Sequence, residues 1–338
     1  MAAGDPPALN TGGGDVLIFC QCSIQQGVNA LLRTMATVLI TGGTGLIGSA
    51  LTRALLQAGH RIHLLSRSSA PDRDDLRSFR WSPATGEVDP QAWNGVEHVV
   101  HLAGAGIADK RWTQARVDEL IASRAGTARL LRRSAEQAGA RISGLVSAAG
   151  INYYGAFTSD HILTEQDPPG TDTIGRISKA WEDAVDEWGA HCRVVKLRTP
   201  VVLSRSGGAL AKLVAPVRLG LGSPLGSGLQ WMPWVHLDDL VAIYVEALFD
   251  ARFQGAYHVN SGHDVTNAEL MRTLSRVLGK PFFAPAVPAF ALRLALGELS
   301  AILLEGTRAT NARLLGTGFR FAHPRLEESL RDLLTSKP

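Results

Sequence analysis

The chain is poor in cysteine, and its charge is nearly balanced. Only 3 of its 338 residues are cysteines, too few for a disulfide framework or a four-ligand zinc site. No apolar stretch is long enough to span a bilayer. The formal net charge is +3 at pH 7, and the basic residues are scattered, so nothing in the sequence requires nucleic acid. We therefore expect a cytoplasmic protein with no nucleic-acid or membrane partner.

The first 34 residues differ in composition from the rest. Residues 1–14 are rich in Gly, Pro and Ala, and the short apolar run 15–24 follows no basic segment, so it does not resemble a signal peptide. We expect 1–34 to be a poorly ordered extension. A metal site at Cys20 and Cys22 is the alternative, but two thiolates without a third ligand disfavour it, and we predict no metal.

Residues 37–50, Thr-Val-Leu-Ile-Thr-Gly-Gly-Thr-Gly-Leu-Ile-Gly-Ser-Ala, are the most informative segment. A buried strand turns into a helix through Gly42, Gly45 and Gly48. Gly42 would form the turn, Gly45 would let the backbone approach a pyrophosphate, and Gly48 would let helix and strand pack closely. The helix N-terminus also favours an anion. The pattern predicts a dinucleotide site, although a tight strand–helix turn needs glycine for steric reasons as well.

The end of the next strand indicates which dinucleotide binds. An NAD site has an acidic residue there for the ribose 2′-hydroxyl. Here the strand ends in Ser66 and Arg67, and Asp72 is the first acid. A guanidinium beside hydroxyl groups attracts a 2′-phosphate, so we predict NADP(H). The alternative is that Arg67 is only a solvated loop residue.

Strands alternate with helical patterns from 37 to about 205. Further strands are predicted at 96–103, 145–149 and 193–203, with helices at 118–137 and 177–188. This alternation predicts an α/β fold with a doubly wound parallel sheet, whose ligands bind beyond the carboxyl ends of the strands.

Four motifs resemble the extended short-chain dehydrogenase/reductases of the epimerase/dehydratase superfamily. They are Thr41-Gly-Gly-Thr-Gly-Leu-Ile-Gly48, His101-Leu-Ala-Gly104, Arg111-Trp-Thr113 and Val235-His-Leu-Asp-Asp239. Four segments of the tail narrow the resemblance to the atypical, SulA-like "epimerase family" proteins with a small C-terminal domain: Gly220-Leu-Gly-Ser-Pro-Leu-Gly-Ser-Gly228, Thr266-Asn-Ala-Glu269, Leu303-Leu-Glu-Gly306 and Gly316-Thr-Gly-Phe319.

The resemblance implies a Rossmann domain at 35–205, to which 235–262 returns, and a smaller C-terminal substrate domain formed by 206–234 and 263–338. It also implies the residues that contact NADP(H). These are Gly42, Gly45, Leu46, Ile47, Gly48, Ser66, Arg67, Leu102, Ala103, Gly104, Glu119, Arg124 and Val202. For Glu119 and Arg124, the alternative is that they form an exposed charge pair on the helix.

The catalytic pattern of ordinary short-chain dehydrogenases is incomplete. Their Tyr-x-x-x-Lys pair falls on Gly175 and Lys179, and the Ser or Thr position falls on Ala149 or Gly150. Lys179 is placed to contact the ribose of the cofactor. An exposed helical lysine without this contact is an equally good interpretation. Tyr154, or its neighbour Tyr153, is a substitute acid, although packing is the favoured interpretation for both.

The predicted substrate side is glycine-rich and ends in tryptophans. Gln230, Trp231 and Trp234 offer an amide and flat surfaces to a small organic ligand, with a self-packed loop as the alternative. Arg198 is placed to meet an anionic group or to pair structurally.

Two neighbouring segments of the tail are interpreted structurally. At 236–239 we expect Asp238 or Asp239 to cap a helix rather than bind metal. The apolar stretch 288–305 should cover the substrate domain; an exposed apolar face there would indicate a partner or dimer contact.

Two functions remain open. The first is an NADP(H)-dependent oxidoreductase or epimerase acting on a small metabolite, with an oligomer possible. The second is a catalytically degenerate NADP(H) sensor or interaction protein. The absence of the tyrosine favours the second, and the retained substrate-type loop favours the first.

Overall fold

The computed structural model describes residues 35–66 and 73–335. The predicted extension 1–34 and Arg67 lie outside these residues. The strands are β1 (Thr37–Thr41), β2 (Arg61–Ser66), β3 (Leu76–Ser82), β4 (Glu87–Val88), β5 (Val96–His101), β6 (Gly144–Gly150), β7 (Ile162–Leu163), β8 (Arg193–Thr199), β9 (Val201–Leu203), β10 (Trp234–His236), β11 (Gly255–His258) and β12 (Arg308–Ala309).

Helices cover both faces of the main sheet and form most of the C-terminal part. They are α1 (Leu46–Gln57), α2 (Gln114–Ile121), α3 (Thr127–Gln137), α4 (Thr173–Asp186), α5 (Gly208–Arg218), α6 (Leu237–Phe249), α7 (Asn267–Val277), α8 (Ala289–Leu296), α9 (Ala301–Leu304), α10 (Ala312–Gly316) and α11 (Leu326–Thr335). A π-helical segment, Ala122–Gly126, joins α2 to α3. Among the described residues, no helix has the length and apolar character needed to cross a membrane.

The main sheet has eight strands in the order β11-β8-β6-β5-β1-β2-β3-β4. All neighbours pair in parallel except β3 and β4. The chain builds outward from β1 through β2 and β3, then returns to β5 on the other side of β1. The strand order therefore reverses between β1 and β5, and a crevice opens at their carboxyl ends. The predicted doubly wound parallel sheet is confirmed.

The core has one apolar layer on each face of this sheet. In β1, Val38 and Ile40 pack into the layer formed with α1 and α6. Leu39 points the other way, into the layer that includes Leu131 and Trp188. Strands that are buried on both faces carry continuous apolar residues, which explains the unbroken run in β1.

A separate apolar cluster joins α5, α7 and α11 around Trp234. It lies in the part of the chain predicted as the substrate side, and the division into two domains stays a prediction. The predicted strand 193–203 is interrupted at Pro200, which lacks a backbone N–H. Its second half, β9, pairs instead with β10 in a small parallel sheet.

Candidate functional site

The turn between β1 and α1 has glycine where a side chain would collide with backbone. Gly42 has φ = +70°, and a Cβ there would lie 2.9 Å from the carbonyl carbon of Leu102. A Cβ on Gly48 would lie 2.2 Å from the Gly42 carbonyl oxygen. Gly45 is exposed and donates its N–H to Gly42 O at 3.0 Å. Gly42 and Gly48 thus have the steric roles predicted for them, because the helix packs directly on the turn.

Among the described residues, no side chain caps the N-terminus of α1. Gly45 precedes the helix without a side-chain cap, and the first turn contains no acid. Side chains of Thr113, Asp172 and Thr266 cap α2, α4 and α7, whereas α5 and α8 also lack such a cap. The first N–H groups of a helix have no intrahelical acceptor, and the helix dipole favours an anion beside them. The geometry at α1 therefore suits a phosphate group.

Thr41 fixes the opposite wall of this crevice. Its Oγ1 accepts the N–H groups of Leu102 and Ala103, both at 3.2 Å. Because both lone pairs are used, its O–H donates to Nδ1 of His101 at 2.9 Å. His101 then carries its proton on Nε2, which lies 3.3 Å from the carbonyl oxygen of Arg124. Burial lowers the pKa of His101 to about 4, so the ring is neutral near pH 7.

Arg124 lies on the π-helical segment and supports the backbone that follows β5. Its guanidinium donates to the carbonyl oxygen of Ala105 at 2.8 Å and packs over Trp181 at 5.2 Å. A Cβ on Gly104 would lie 3.2 Å from this guanidinium carbon. Arg124 therefore borders the strip 102–104 that was predicted to line the adenosine side. Burial lowers the pKa of Arg124 to about 10, which still leaves it charged.

The other predicted cofactor residues are distributed around the same edge. Ser66 ends β2 and is half-buried. Val202 pairs with Val235 across the small sheet. A Cβ on Gly208 would lie 2.9 Å from Leu46 Cδ2 and 3.9 Å from Val202 O, so β9 ends close to the start of α1. The contacts of these residues with the cofactor remain predictions.

Glu119 faces solvent and pairs with its helical neighbour. Its carboxylate lies 2.7 Å from Arg116, which is buried. The hydrogen bond from Arg116 lowers the pKa of Glu119. The alternative considered above, an exposed charge pair between Glu119 and Arg124, is not what the structure shows: Glu119 pairs with Arg116, and Arg124 donates to the carbonyl oxygen of Ala105.

The position of the missing tyrosine is filled by backbone. A Cβ on Gly175 would lie 2.4 Å from Gly170 O. A Cβ on Gly170 would in turn lie 2.4 Å from Tyr154 O and 2.6 Å from Gly155 Cα. We call Gly155, Gly170 and Gly175 the glycine stack. Asp172 holds it together, since its carboxylate accepts the N–H groups of Ala156 at 2.7 Å and Gly175 at 2.9 Å.

The two predicted catalytic residues have very different surroundings. Lys179 is half exposed and lies 2.6 Å from the carboxylate of Asp183. Tyr154 is buried, and its hydroxyl donates to Thr164 O at 2.6 Å while contacting His258 and Arg198. Burial raises the pKa of Tyr154 well above its usual value. This saturated hydroxyl favours the packing role considered for Tyr154, and catalysis by either residue stays a prediction.

Arg198 belongs to a buried ionic cluster. Its guanidinium makes two hydrogen bonds to Glu182, at 2.8 and 3.0 Å, and lies 3.7 Å from the Tyr153 ring centroid. Lys196 lies 3.3 Å from the same carboxylate. The geometry favours structural pairing, the alternative left open for Arg198. No local pattern indicates Glu182 as its partner, because the two residues are 16 positions apart.

The predicted substrate residues divide into buried and accessible ones. Trp234 is fully buried and donates to His263 O at 3.2 Å. Gln230 is buried, and its amide nitrogen donates to Leu225 O and Leu303 O. Trp231 is half-buried beneath the guanidinium of Arg308, which lies 4.9 Å from its ring. Trp231 is therefore the best placed of the three to meet a ligand, with Arg308 as a residue the sequence analysis missed.

The start of α6 differs from its prediction. His236, rather than Asp238 or Asp239, caps the helix, because its Nδ1 accepts the N–H of Asp238 at 3.1 Å. Asp239 is buried and accepts the N–H groups of Ala322 and His323. The group His236, Asp238 and His323 brings metal-ligand types together. One ligand atom of each residue lies within 4.8 Å of the others. The two imidazoles stack with centroids 3.8 Å apart, and Nδ1 of His236 accepts the N–H of Asp238. The expectation of no metal stays a prediction.

Two clefts open on the described surface. One of about 330 Å³ lies between Arg293, Gly297, Glu298, Leu304 and Glu305. Glu298 contacts Thr173 at the start of α4 at 3.2 Å, so this cleft adjoins the glycine stack. A larger cleft of about 450 Å³ lies at Arg141 and His191. Both residues precede strands of the sheet, at the edge opposite the glycine turn, so this cleft is far from the predicted site.

Comparison with known families and structures agrees with this geometry. The model of the NAD dependent epimerase/dehydratase family matches residues 38–262, and a domain of unknown function (DUF1731) matches 287–333. The mouse epimerase family protein SDR39U1 is 35% identical over 303 residues, covering 88% of this chain and 99% of the mouse protein. A Mycobacterium tuberculosis epimerase family protein, MT2273, is 37% identical, covering 87% and 96%.

Solved structures of related proteins have the same fold. The crystal structure of human SDR39U1 (isoform 2) with NADPH is 33% identical and has a TM-score of 0.78, covering 88% of this chain and 98% of the human one. A UDP-glucose 4-epimerase from Thermus thermophilus in complex with NAD shares the fold at 20% identity, with a TM-score of 0.67. This chain belongs to the NAD dependent epimerase/dehydratase family and carries the C-terminal DUF1731 domain.

Proposed function

We propose that this protein binds NADP(H) and acts as an oxidoreductase or epimerase on a small metabolite. The observation that carries the proposal is the uncapped N-terminus of α1. It lies behind a glycine turn at the point where the strand order reverses. The human relative crystallised with NADPH supports the choice of cofactor.

The described residues fit a dinucleotide. A Cβ at Gly42 or Gly48 would fill space that the turn needs, and the first turn of α1 lacks an acid that would repel phosphate. In the proposal the first turn of α1, from Gly45 to Gly48, holds the pyrophosphate. Ser66 and Arg67 hold the 2′-phosphate, and residues 102–104 line the adenosine side. Bound nicotinamide supplies the hydride donor or acceptor.

The chain's own residues would hold and shield this site. Thr41 and neutral His101 fix the backbone at Leu102 and Ala103. Arg124 braces the next residues through Ala105 O. On the substrate side, Trp231 offers a flat surface, and Arg308, which pairs with Asp264 at 2.6 Å, packs over its ring. Lys179 and Val202 are assigned to the ribose and nicotinamide ends.

The glycine stack favours a second candidate function. The place of the usual tyrosine is occupied by Gly170, and Tyr154 has no free hydroxyl valence. In this alternative the protein senses NADP(H), and the bound cofactor changes a partner surface rather than reacting.

Titration of the full chain with NADPH and NADH tests the cofactor. We expect NADPH to bind at least about tenfold more tightly, because a paired 2′-phosphate contributes charge-assisted hydrogen bonds. Ser66→Asp should remove most of this preference by repelling the 2′-phosphate. Equal affinity for the two nucleotides in the unmodified chain would contradict the assignment.

A metabolite panel separates the two functions. Slow loss of NADPH absorbance with one class of carbonyl compound would support the enzyme. Silence across the panel, together with capture of a partner only when NADPH is present, would support the sensor.

A further inference from the structure

The large exposed hydrophobic side chains are concentrated in one region. Six of the ten such side chains in the described part of the chain lie in two segments, 219–229 and 283–294. They are between 60% and 81% exposed: Leu219, Leu221, Leu229, Phe283, Phe290 and Leu294. The exposed apolar face that would indicate a partner is therefore present on α8, which has no buried residue.

These two segments lie side by side. Val287 donates its N–H to Pro224 O at 2.9 Å, and Gly226 donates to Val287 O at 2.9 Å. A Cβ on Gly220 would lie 3.9 Å from Pro281, and one on Gly226 would lie 3.8 Å from Ala289. The exposed side chains therefore belong to one region of the surface, which we call the apolar ribbon (residues 219–229 and 281–294).

The two stretches of sequence that contain the apolar ribbon carry only basic charges. Residues 207–234 and 277–297 contain no Asp or Glu, and their basic residues are Lys212, Arg218, Lys280 and Arg293. All four are exposed, and none has an ion-pair partner among residues 35–66 and 73–335. Two acids of the described chain, Glu298 and Glu305, line the cleft beside Arg293 at one end of the ribbon. Within its own two stretches the ribbon therefore has cations without counter-charge.

We propose that the apolar ribbon docks on an anionic lipid bilayer. Protruding Phe and Leu side chains flanked by Lys and Arg are the pattern of an interfacial anchor, which inserts shallowly and does not span the membrane. A second copy of this chain is a poorer occupant, because a symmetric contact would bring the same unpaired cations together. Such docking departs from the expectation of no membrane partner, under which the apolar stretch 288–305 covers the substrate domain.

Vesicle sedimentation of the full chain tests the proposal. The probes are vesicles of phosphatidylcholine with about 30% phosphatidylserine and vesicles of phosphatidylcholine alone. We expect binding to the anionic vesicles, weakened at high salt. Phe290→Ser with Leu294→Ser should weaken it by about tenfold or more. Lys280→Gln with Arg293→Gln should reduce the preference for the anionic vesicles.

Leu315→Ser is the matched control, since Leu315 is also exposed but lies outside the ribbon. Three results would overturn the proposal: no binding to either vesicle, equal binding by the Ser double variant, or self-association of the full chain that this variant abolishes. Capture of an acidic protein without vesicle binding would point to a protein partner instead. NADPH titration of the same samples reports the proposed function independently.

Discussion

Two glycine clusters at the carboxyl edge of the sheet have opposite effects on the space around them. In the turn before α1, Gly42 and Gly48 bring backbone close to backbone, and the helix N-terminus beyond them is left without a cap. In the glycine stack, close packing fills the place of a catalytic side chain, and Asp172 caps α4. The first cluster leaves a helix N-terminus open to an anion, whereas the second occupies the place of a catalytic side chain.

The difference shows why a cofactor motif and a catalytic motif can separate in evolution of a fold. The glycine turn needs only backbone and a helix dipole to bind phosphate. Proton transfer needs a side chain in reach of the substrate. In this chain Gly170 lies against Gly175, so the packing leaves no room for a tyrosine side chain there.

Restoring the tyrosine should break the glycine stack and gives the largest expected effect. Gly175→Tyr places a Cβ 2.4 Å from Gly170 O, so the loop must move. We expect the free energy of unfolding to fall by about 3 kcal/mol or more, measured by urea denaturation. Gly189→Tyr is the control, because a Cβ there meets nothing within 4 Å. Equal stability of the two variants would show that the stack is not tightly packed.

Beside the glycine turn before α1, buried His101 should make the free energy of unfolding depend on pH. Its pKa is about 4 in the folded chain against 6.5 ordinarily, so between these values the unfolded chain takes up a proton that the folded chain does not. The free energy of unfolding should therefore fall as pH drops through this window, by up to about 3 kcal/mol. His101→Gln should reduce the slope without abolishing it, because burial also lowers the pKa of other histidines, among them His60 and His258. An unchanged slope in His101→Gln would contradict the neutral buried ring.

Substitution of Thr41 tests directly whether its hydroxyl holds the backbone at Leu102 and Ala103. Thr41→Val removes the side-chain acceptor of the Ala103 N–H and the hydroxyl donor to His101, whereas the Leu102 N–H keeps the Thr41 carbonyl oxygen as acceptor at 3.2 Å. We expect about 2 kcal/mol of stability to be lost. NADPH binding should weaken about tenfold, because the backbone at Ala103 loses its anchor. Thr41→Ser keeps the hydroxyl and should restore both properties. If valine and serine behave alike in calorimetric titration, the hydroxyl does not organise this wall.

Lys179→Ala should have the smallest effect. The Lys179–Asp183 pair is about half exposed on both sides, and such exposed pairs contribute little to stability because water and salt screen them. Thermal unfolding should hardly change. A clear drop in NADPH affinity at unchanged stability would instead support the predicted ribose contact, and Asp183→Ala distinguishes this from loss of the pair.

The sequence predicted the elements whose signal is local and missed those that depend on distant partners. The glycine turn, the strand that precedes it and the parallel sheet follow from apolar runs and glycine spacing. The split at Pro200 was missed, because the apolar run 193–203 predicts one strand, although proline cannot continue a ladder.

Other contacts join residues that are far apart in the chain, and no local sequence pattern indicates them. Arg198 meets Glu182, Trp231 lies under Arg308, and Gly175 packs on Gly170. His236 took the capping role assigned to its acidic neighbours because an unprotonated imidazole nitrogen also accepts an N–H.

One calorimetric comparison tests the opposition between the two clusters most directly. NADPH is titrated into the unmodified chain, Gly48→Ala and Gly175→Ala, with the folded fraction measured for each. We expect Gly48→Ala to lose at least about a hundredfold in affinity, because its Cβ would push α1 away from the turn, whereas folded Gly175→Ala should bind within about threefold of the unmodified chain. Strong binding by Gly48→Ala, or loss of binding by folded Gly175→Ala, would contradict the account.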